Sequence, residues 1–221
     1  LHKDTITLYA VTDWIIKPFT AKEACSFVEL VVDEGTTEQR PQWFISHWWG
    51  EAVRDFFLAV AAHAQARGLE ASAAYWVCAY ANNQHELGAE IVADPRETSF
   101  YKAMLHAVGV LLILDPNGTP FTRAWCCFEE AMVVKDETRP GAPLLLDIAT
   151  VDREGRAHVT TQGTTAADQK EYDTLNDFHK GETSLASIKV KREEGFPKAV
   201  LERGYRVDTF HSKASVDICL L

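Results

Sequence analysis

The sequence lacks clustered basic residues and long apolar segments. Its 221 residues contain 22 Lys and Arg against 32 Asp and Glu, which gives a formal net charge of −10. Because nucleic-acid phosphates and anionic lipid surfaces attract clustered cations, this composition argues against a nucleic-acid partner and against a membrane-surface role. No apolar run reaches the length of about 18 residues that a membrane span needs, so we expect no transmembrane helix.

Cysteine is scarce, and its pattern is unlike that of a disulfide-rich protein. The five cysteines are odd in number and include an adjacent pair: Cys25, Cys78, Cys126, Cys127 and Cys219. This pattern predicts a reducing compartment. The chain shows no signal peptide and starts at Leu1 rather than Met, which indicates processing or a fragment. We therefore predict an intracellular protein, which is cytoplasmic, or organellar if a targeting segment has been removed.

Apolar strands alternate with helices through the middle of the chain. The predicted strands cover residues 42–48, 74–80, 108–114 and 143–148. The predicted helices between them cover residues 51–67, 99–106 and 121–135. Gly68 is suited to end the first helix, and Thr98 to cap the second. This alternation predicts an α/β fold with a parallel sheet and helices on both faces.

The two ends of the chain depart from this alternation. We expect residues 1–40 to form a leading extension that packs on a domain spanning 41–221. Residues 151–195 are polar, which predicts an insertion or a mobile region within that domain. Beyond it, the pattern predicts a helix over 196–203, an edge strand over 205–210 and a last helix from residue 213.

One acidic residue is notable for its position. The segment Thr122–Glu130 follows an apolar strand and a short turn, so it predicts the start of a helix. Glu129 then falls within about 80° of Trp125 on the apolar face, whereas Glu130 points about 140° away and faces water. A buried acid just past the end of a strand lies where open α/β sheets bind ligands, and burial raises its pKa. The alternative is a carboxylate that reaches solvent or pairs with Arg.

Two motifs, in their order along the chain, are similar to those of one family. Phe44–Ser46 followed by Gly50 and Glu51 resembles the strand-A Phe-Leu-Ser, Gly and acid of plant-type TIR (Toll/interleukin-1 receptor) domains, with one residue added. Trp125–Glu129 resembles their Trp-Cys-Leu-x-Glu motif, with cysteine where leucine is usual. The resemblance covers roughly residues 42–150. Segments of uncharacterised algal-protist proteins also look similar.

The resemblance implies a flavodoxin-like parallel sheet of about five strands and a role in signalling. Many enzymatic TIR domains cleave the nicotinamide–ribose bond of NAD, which is then a substrate and not a cofactor, and their catalytic Glu corresponds to Glu129. Such cleavage passes through a cation-like ribose, which a carboxylate stabilises. The chain departs from the family in two places. An aromatic residue replaces the Arg after strand A, and Asn82, Asn83 and Gln84 stand near the usual acidic pair.

The ends of the predicted strands supply the rest of a substrate pocket. A hydroxyl and an imidazole suit phosphate or ribose, tryptophan faces suit stacking on nicotinamide or adenine, and side-chain amides suit amide or ribose edges. The predicted substrate-binding residues are Ser46, His47, Trp48, Trp49, Asn82, Asn83 and Trp125. The alternatives are tryptophans packed under a loop, a hydrogen-bonded histidine and asparagines that cap turns.

Metal and thiol chemistry match the sequence poorly. There is no Cys-x-x-Cys or His-x-x-x-His spacing, and Cys126 and Cys127 point about 100° apart on a helix, so we predict no metal site. A thiol near a helix N-terminus has a lowered pKa, but adjacent cysteines in a packed helix are more often core residues.

Three functions stay open at this point. The first is a TIR-like domain that cleaves NAD through Glu129, which requires this residue to line an open cleft. The second is a non-enzymatic TIR-like interaction module or subunit of a larger assembly, in which side chains or the leading segment fill the cleft. Its partner is another copy of the chain or another protein. The third is another nucleoside or nucleotide hydrolase that uses the same pocket.

Overall fold

A five-stranded sheet forms the centre of the molecule. The computed structural model describes residues 5–32, 40–86, 88, 94–134, 143–178 and 183–205. Its strands are β1 Trp43–Ser46, β2 Tyr75–Trp76, β3 Gly109–Leu114, β4 Leu145–Val151 and β5 Ala157–Thr160. They lie in the order β2-β1-β3-β4-β5, with the first four parallel and β5 antiparallel to β4. This arrangement confirms the predicted α/β fold class and is consistent with a flavodoxin-like fold.

Helices connect the strands, and local signals set their ends. The α-helices in the described ranges are α1 Leu8–Val11, α2 Lys17–Thr20, α3 Phe27–Val31, α4 Val53–Arg67, α5 Cys78–Ala81, α6 Ser99–His106, α7 Ala124–Val134, α8 Ala166–Phe178, α9 Leu185–Glu193 and α10 Lys198–Tyr205. α4 ends where Gly68 adopts a left-handed conformation with a φ of 66°. α6 begins where the Thr98 hydroxyl accepts a hydrogen bond from the backbone N–H of Tyr101. None of the described helices has both the length and the apolar character that crossing a membrane requires.

Helices cover both faces of the sheet. Neighbouring residues of a strand point to opposite faces, and β1 uses both. Trp43 packs edge-on against His63 of α4, with ring centroids 4.4 Å apart. On the other face, Phe44 stacks on Trp76 at 4.8 Å, and Trp76 packs against Phe100 of α6 at 5.2 Å. Aromatic contacts therefore fix the sheet between α4 and α6.

The strand β3 is buried along its whole length, and its first residue allows a close approach of its neighbours. A Cβ atom at Gly109 would lie 2.7 Å from the backbone oxygen of Leu145 and 2.7 Å from the ring of Trp43. Because such contacts are shorter than atoms tolerate, only glycine lets β1, β3 and β4 pair at this point.

The leading segment packs across the start of α4. Its backbone bonds to the loop after β1: the Leu8 N–H donates to the carbonyl of Trp49 at 3.0 Å, and the Val53 N–H donates to that of Ile6 at 2.8 Å. Tyr9 lies against Trp49, with ring centroids 5.6 Å apart. A π-helical turn, Thr12–Ile16, joins α1 to α2. The segment therefore lies directly beside the loop that follows the first strand.

One predicted strand is partly helical in the structure. A strand was predicted over 74–80, but β2 stops at Trp76 and Cys78–Ala81 form helix α5, so the prediction was wrong for residues 78–80. Tyr80, whose aromatic ring favoured a strand, instead packs on Phe27 of the leading segment at 6.0 Å. Tertiary packing overrides the local strand preference here.

The polar segment 151–195 contains β5, α8 and α9. Its polarity follows from its place, because β5 is the edge strand of the sheet and the two helices keep one face exposed. The helix predicted over 196–203 is present as α10. The edge strand predicted over 205–210 and the last helix lie outside the described residues, except that Tyr205 ends α10.

Candidate functional site

Glu129 is enclosed where α7 begins after β3. Its side chain is 5% exposed, as its position on the apolar face of the helix predicted. Burial raises its pKa to about 8, and the charge of Glu130 acts in the same direction, while the Ser46 hydroxyl lowers it. At neutral pH, Glu129 is therefore mostly a neutral acid. Glu130 is half-buried rather than facing water, and burial raises its pKa to about 7.

Ser46 and His47 stand at the end of β1, beside α7. The thiol of Cys126 in α7 lies 3.8 Å from the backbone oxygen of His47, which joins the two elements. Ser46 Oγ and both ring nitrogens of His47 are buried, and none of them makes a hydrogen bond of normal geometry. Burial lowers the pKa of His47 to about 3, so the imidazole is neutral. These residues offer neutral hydrogen-bonding groups rather than a cation.

The three tryptophans predicted to bind substrate differ in their surroundings. Trp49 is buried, and its indole N–H donates to the sulfur of Cys78 at 3.0 Å, which is the packing alternative considered from the sequence. Trp48 is partly exposed and folds across Gly50, where a Cβ atom would meet its ring at 2.2 Å. Trp125 is partly exposed and stacks on Phe100, with centroids 5.5 Å apart.

Of the amide side chains after α5, Asn83 is hydrogen-bonded through both its nitrogen and its oxygen, whereas Asn82 and Gln84 each have one buried atom without a partner. Asn83 donates to the backbone oxygen of Ala24 at 2.6 Å and accepts from the His85 N–H at 3.0 Å, so it ties the loop to the leading segment. Asn82 accepts from Ser99 at 2.9 Å, but its buried Nδ2 has no partner. Gln84 donates to two backbone oxygens, while its buried Oε1 has no partner.

Unpaired buried polar atoms therefore concentrate at one edge of the sheet. At this edge they belong to Ser46, His47, Asn82, Gln84, Glu130 and Glu51, and two others, in Thr12 and Arg192, lie elsewhere in the described part of the chain. All six residues follow the carboxyl ends of β1, β2 or β3, where open α/β sheets bind ligands. Because folded proteins pair nearly all their buried polar groups, such a concentration marks this edge as the candidate functional site. Sequence reasoning gave no role to Glu51, although its position soon after a buried strand was a usable signal.

Glu129 is packed against protein atoms. One cavity of about 150 Å³ lies between the start of α4 and the ends of β3 and β4. A groove of about 770 Å³ lies between β5, α9 and α10. Glu129 lines neither of them. Its carboxyl group faces protein, so a ligand has to displace side chains to touch it.

The cysteines of α7 are thiols rather than thiolates. Burial raises the pKa of Cys126 well above its ordinary value, and the charge of Glu129 adds to this effect. Burial also raises the pKa of Cys127. Because a nucleophilic cysteine needs a lowered pKa, neither residue is an activated nucleophile. In the described ranges, no group of three or more His, Cys, Asp and Glu residues is arranged to hold a metal ion.

The fold and the site together define a flavodoxin-like α/β protein with a protonated acid at the carboxyl edge of its sheet. Comparison with known protein families, with curated proteins and with solved structures found no match to this chain. The functional argument therefore depends on the residues and geometry described above.

Proposed function

We propose that this protein is a TIR-like domain that binds NAD and cleaves its nicotinamide–ribose bond in signalling, with Glu129 as the carboxylate beside the ribose. The observation that carries the proposal is the burial of Glu129, with a pKa of about 8, among unpaired polar atoms at the carboxyl edge of the sheet. A perturbed acid in such a place is typical of a catalytic group.

The charge of the substrate suits this acid. The nicotinamide ring of oxidised NAD is a cation, and the ribose becomes cation-like as the bond to nicotinamide breaks. A positive charge close to Glu129 favours its ionised form, so binding of NAD releases the proton that Glu129 otherwise holds. The carboxylate then stabilises the developing charge on the ribose. Nicotinamide leaves with the electron pair of the broken bond, and a water molecule adds to the ribose carbon and releases a proton. Reduced NAD has a neutral ring and lacks this interaction.

Neighbouring groups match the remaining parts of the substrate. Asn82 Nδ2 is a free donor and Gln84 Oε1 a free acceptor, which is the pattern that a carboxamide such as that of nicotinamide pairs with. The Ser46 hydroxyl lies beside Glu129, where it donates either to the carboxylate or to a ribose oxygen. His47 is neutral and contributes a single N–H donor.

The test is nicotinamide release from NAD by the purified full chain, followed by chromatography, with two matched variants. Glu129→Gln keeps the shape of the neutral acid, and we expect it to abolish release while retaining the fold. Glu154→Gln is the control, because the same change is made at an exposed site and release should persist. Release that survives Glu129→Gln would keep the activity but refute the site, and no release from wild-type protein, even when concentrated, would refute the function.

A second candidate function is supported by the surface of the leading segment. Trp14, Ile15 and Phe19 are 53%, 44% and 66% exposed, although residues of this size are usually buried. Together with the closed position of Glu129, this surface favours a non-enzymatic module that self-associates or joins a larger assembly. Sedimentation analysis of wild-type protein and of a Trp14→Ser, Phe19→Ser double variant tests it, since self-association should be concentration-dependent and lost in the variant.

A further inference from the structure

A separate acidic cavity lies at the same edge of the sheet, on the other side of His47. Its volume is about 150 Å³, and it lies between the start of α4 and the ends of β3 and β4. Three carboxylates and three aliphatic side chains line it: Glu51, Asp55, Asp115, Ile113, Leu114 and Val151. An inference about this cavity does not depend on NAD cleavage, because Glu129 is not part of it.

Glu51 is the least satisfied of these carboxylates. It is only 8% exposed, and its Oε1 has no hydrogen-bond partner. In the part of the chain that the structure describes, its only ion-pair contact is with His47 Nδ1 at 3.4 Å, and that imidazole is neutral. Burial raises the pKa of Glu51 well above its ordinary value, and the charges of Asp115 and Asp55 raise it further. Glu51 therefore tends to hold its proton, and Asp115 and Asp55 supply the negative potential of the cavity.

Little positive charge offsets the charges of the other two carboxylates, Asp115 and Asp55. Asp115 accepts hydrogen bonds from the N–H of Thr119 at 2.6 Å and of Asn117 at 3.2 Å, and from the Thr119 hydroxyl at 2.9 Å. These donors are neutral, so they fix the carboxylate without cancelling its charge. Asp55 lies 3.9 Å from Arg54, an exposed contact of little energetic weight.

The side chains that line the cavity, and its volume, indicate whether a metal ion or an organic cation fits it. Its donor set is not arranged for a metal ion, since the described residues include no such group of three. The aliphatic side chains of Ile113, Leu114 and Val151 match methylene groups instead. A volume of about 150 Å³ corresponds to roughly five water-sized groups. An ammonium group needs no such convergent set, because each of its three N–H groups donates a separate hydrogen bond.

We propose that this cavity binds a small alkylammonium group, with Glu51 as its buried acidic partner, which ionises beside the cation. The ammonium nitrogen donates to Glu51 and lies in the negative potential of Asp115 and Asp55, and the methylene chain contacts the ends of β3 and β4. Two sources share this chemistry, a free aliphatic amine and the side chain of a lysine. Both are small enough for the cavity, and separate probes distinguish them.

The experiment is calorimetric titration of the full chain with 1,4-diaminobutane and, separately, with Nα-acetyl-lysine methylamide. Salt at about 0.15 M suppresses non-specific attraction to the acidic surface. We expect saturable binding of at least one probe, and the tighter probe identifies the source. Glu51→Gln should weaken binding at least tenfold, because a buried charge-assisted hydrogen bond is lost. Glu154→Gln, the same change at an exposed site, should leave affinity unchanged.

A second variant keeps the proposal testable if the Glu51→Gln protein does not fold. Asp55→Asn changes a partly exposed carboxylate on the rim, and it should weaken binding by a smaller factor than Glu51→Gln does. The proposal is overturned if neither probe binds, if Glu51→Gln and Asp55→Asn both bind as tightly as wild-type protein, or if magnesium chloride at equal concentration displaces the amine completely.

Discussion

Replacing Glu129 with glutamine should change how the free energy of unfolding depends on pH. The pKa of this acid is about 8 in the folded protein, against an ordinary value of 4.5. Between these two values the folded chain holds a proton that the unfolded chain releases. The free energy of unfolding of wild-type protein therefore falls as pH rises through this window. Glutamine has no proton to release, so the variant lacks this contribution.

The size of the effect follows from the shift in pKa. One unit is worth about 1.4 kcal/mol, so ionisable Glu129 lowers the stability by about 1 kcal/mol at pH 5 and by about 3 kcal/mol at pH 7, relative to a group that stays neutral. The stability of Glu129→Gln relative to wild-type protein should therefore rise by about 2 kcal/mol between these pH values. This difference reports the titration of Glu129 together with its coupling to Glu130, because the other titrating groups are present in both proteins.

Urea unfolding at pH 5, 6 and 7 measures this gap, since the free energy of unfolding extrapolates linearly to water. Glu154→Gln serves as the control, because its carboxylate is mostly exposed and its gap to wild-type protein should not change with pH. A gap for Glu129→Gln that stays constant within about 0.5 kcal/mol, which is close to experimental error, would mean that the folded protein holds Glu129 as an ion. The account of its burial would then be wrong.

Three further outcomes follow from the same structure. If Glu129 must ionise to act on NAD, kcat/KM should rise about tenfold from pH 6 to pH 7 and level off above about pH 8; a flat profile would contradict its role. Asp147→Asn should cost about 3–5 kcal/mol in urea unfolding, because it disrupts a buried carboxylate that bonds to an arginine and a histidine, whereas Asp13→Asn, in an exposed pair, should cost under about 1 kcal/mol. Gly109→Ala should lower thermal stability far more than Gly88→Ala, whose Cβ meets nothing within 4 Å, and equal losses would refute the packing argument for β3.

The parts of the fold that follow from the sequence are those in which local pattern and burial agree. The apolar run at 109–114 is fully buried, and Gly68 ends α4 as its conformational freedom predicts. β5 was not predicted, because Ala157–Thr160 has only four residues and one fully buried position, so its alternation of apolar and polar residues is too short to stand out. Helix α5 could not be predicted either, because its stability comes from packing on the leading segment rather than from its own sequence.

The sequence predicts part of the candidate site but not all of it. The position of Glu129 on a helix face depends only on spacing, so the sequence sufficed to find it. The cavity at Glu51 depends on Asp115, which lies 64 positions further along the chain, and only the sheet brings them together. Hydrogen-bond pairing is also a property of the fold, so the unpaired atoms of Ser46 and Gln84 have no signature in the sequence.

The hydrogen bonds between the leading segment and the loop after β1 have a thermodynamic consequence. The exposed side chains of Trp14 and Phe19 and the loop that carries His47 and Glu51 belong to one bonded unit, joined through Leu8 and Trp49. A partner that moves the segment must also change the loop, and a ligand that moves the loop must change the partner's affinity by the same factor. The two functions considered above are therefore linked, and each can be measured as a modulation of the other.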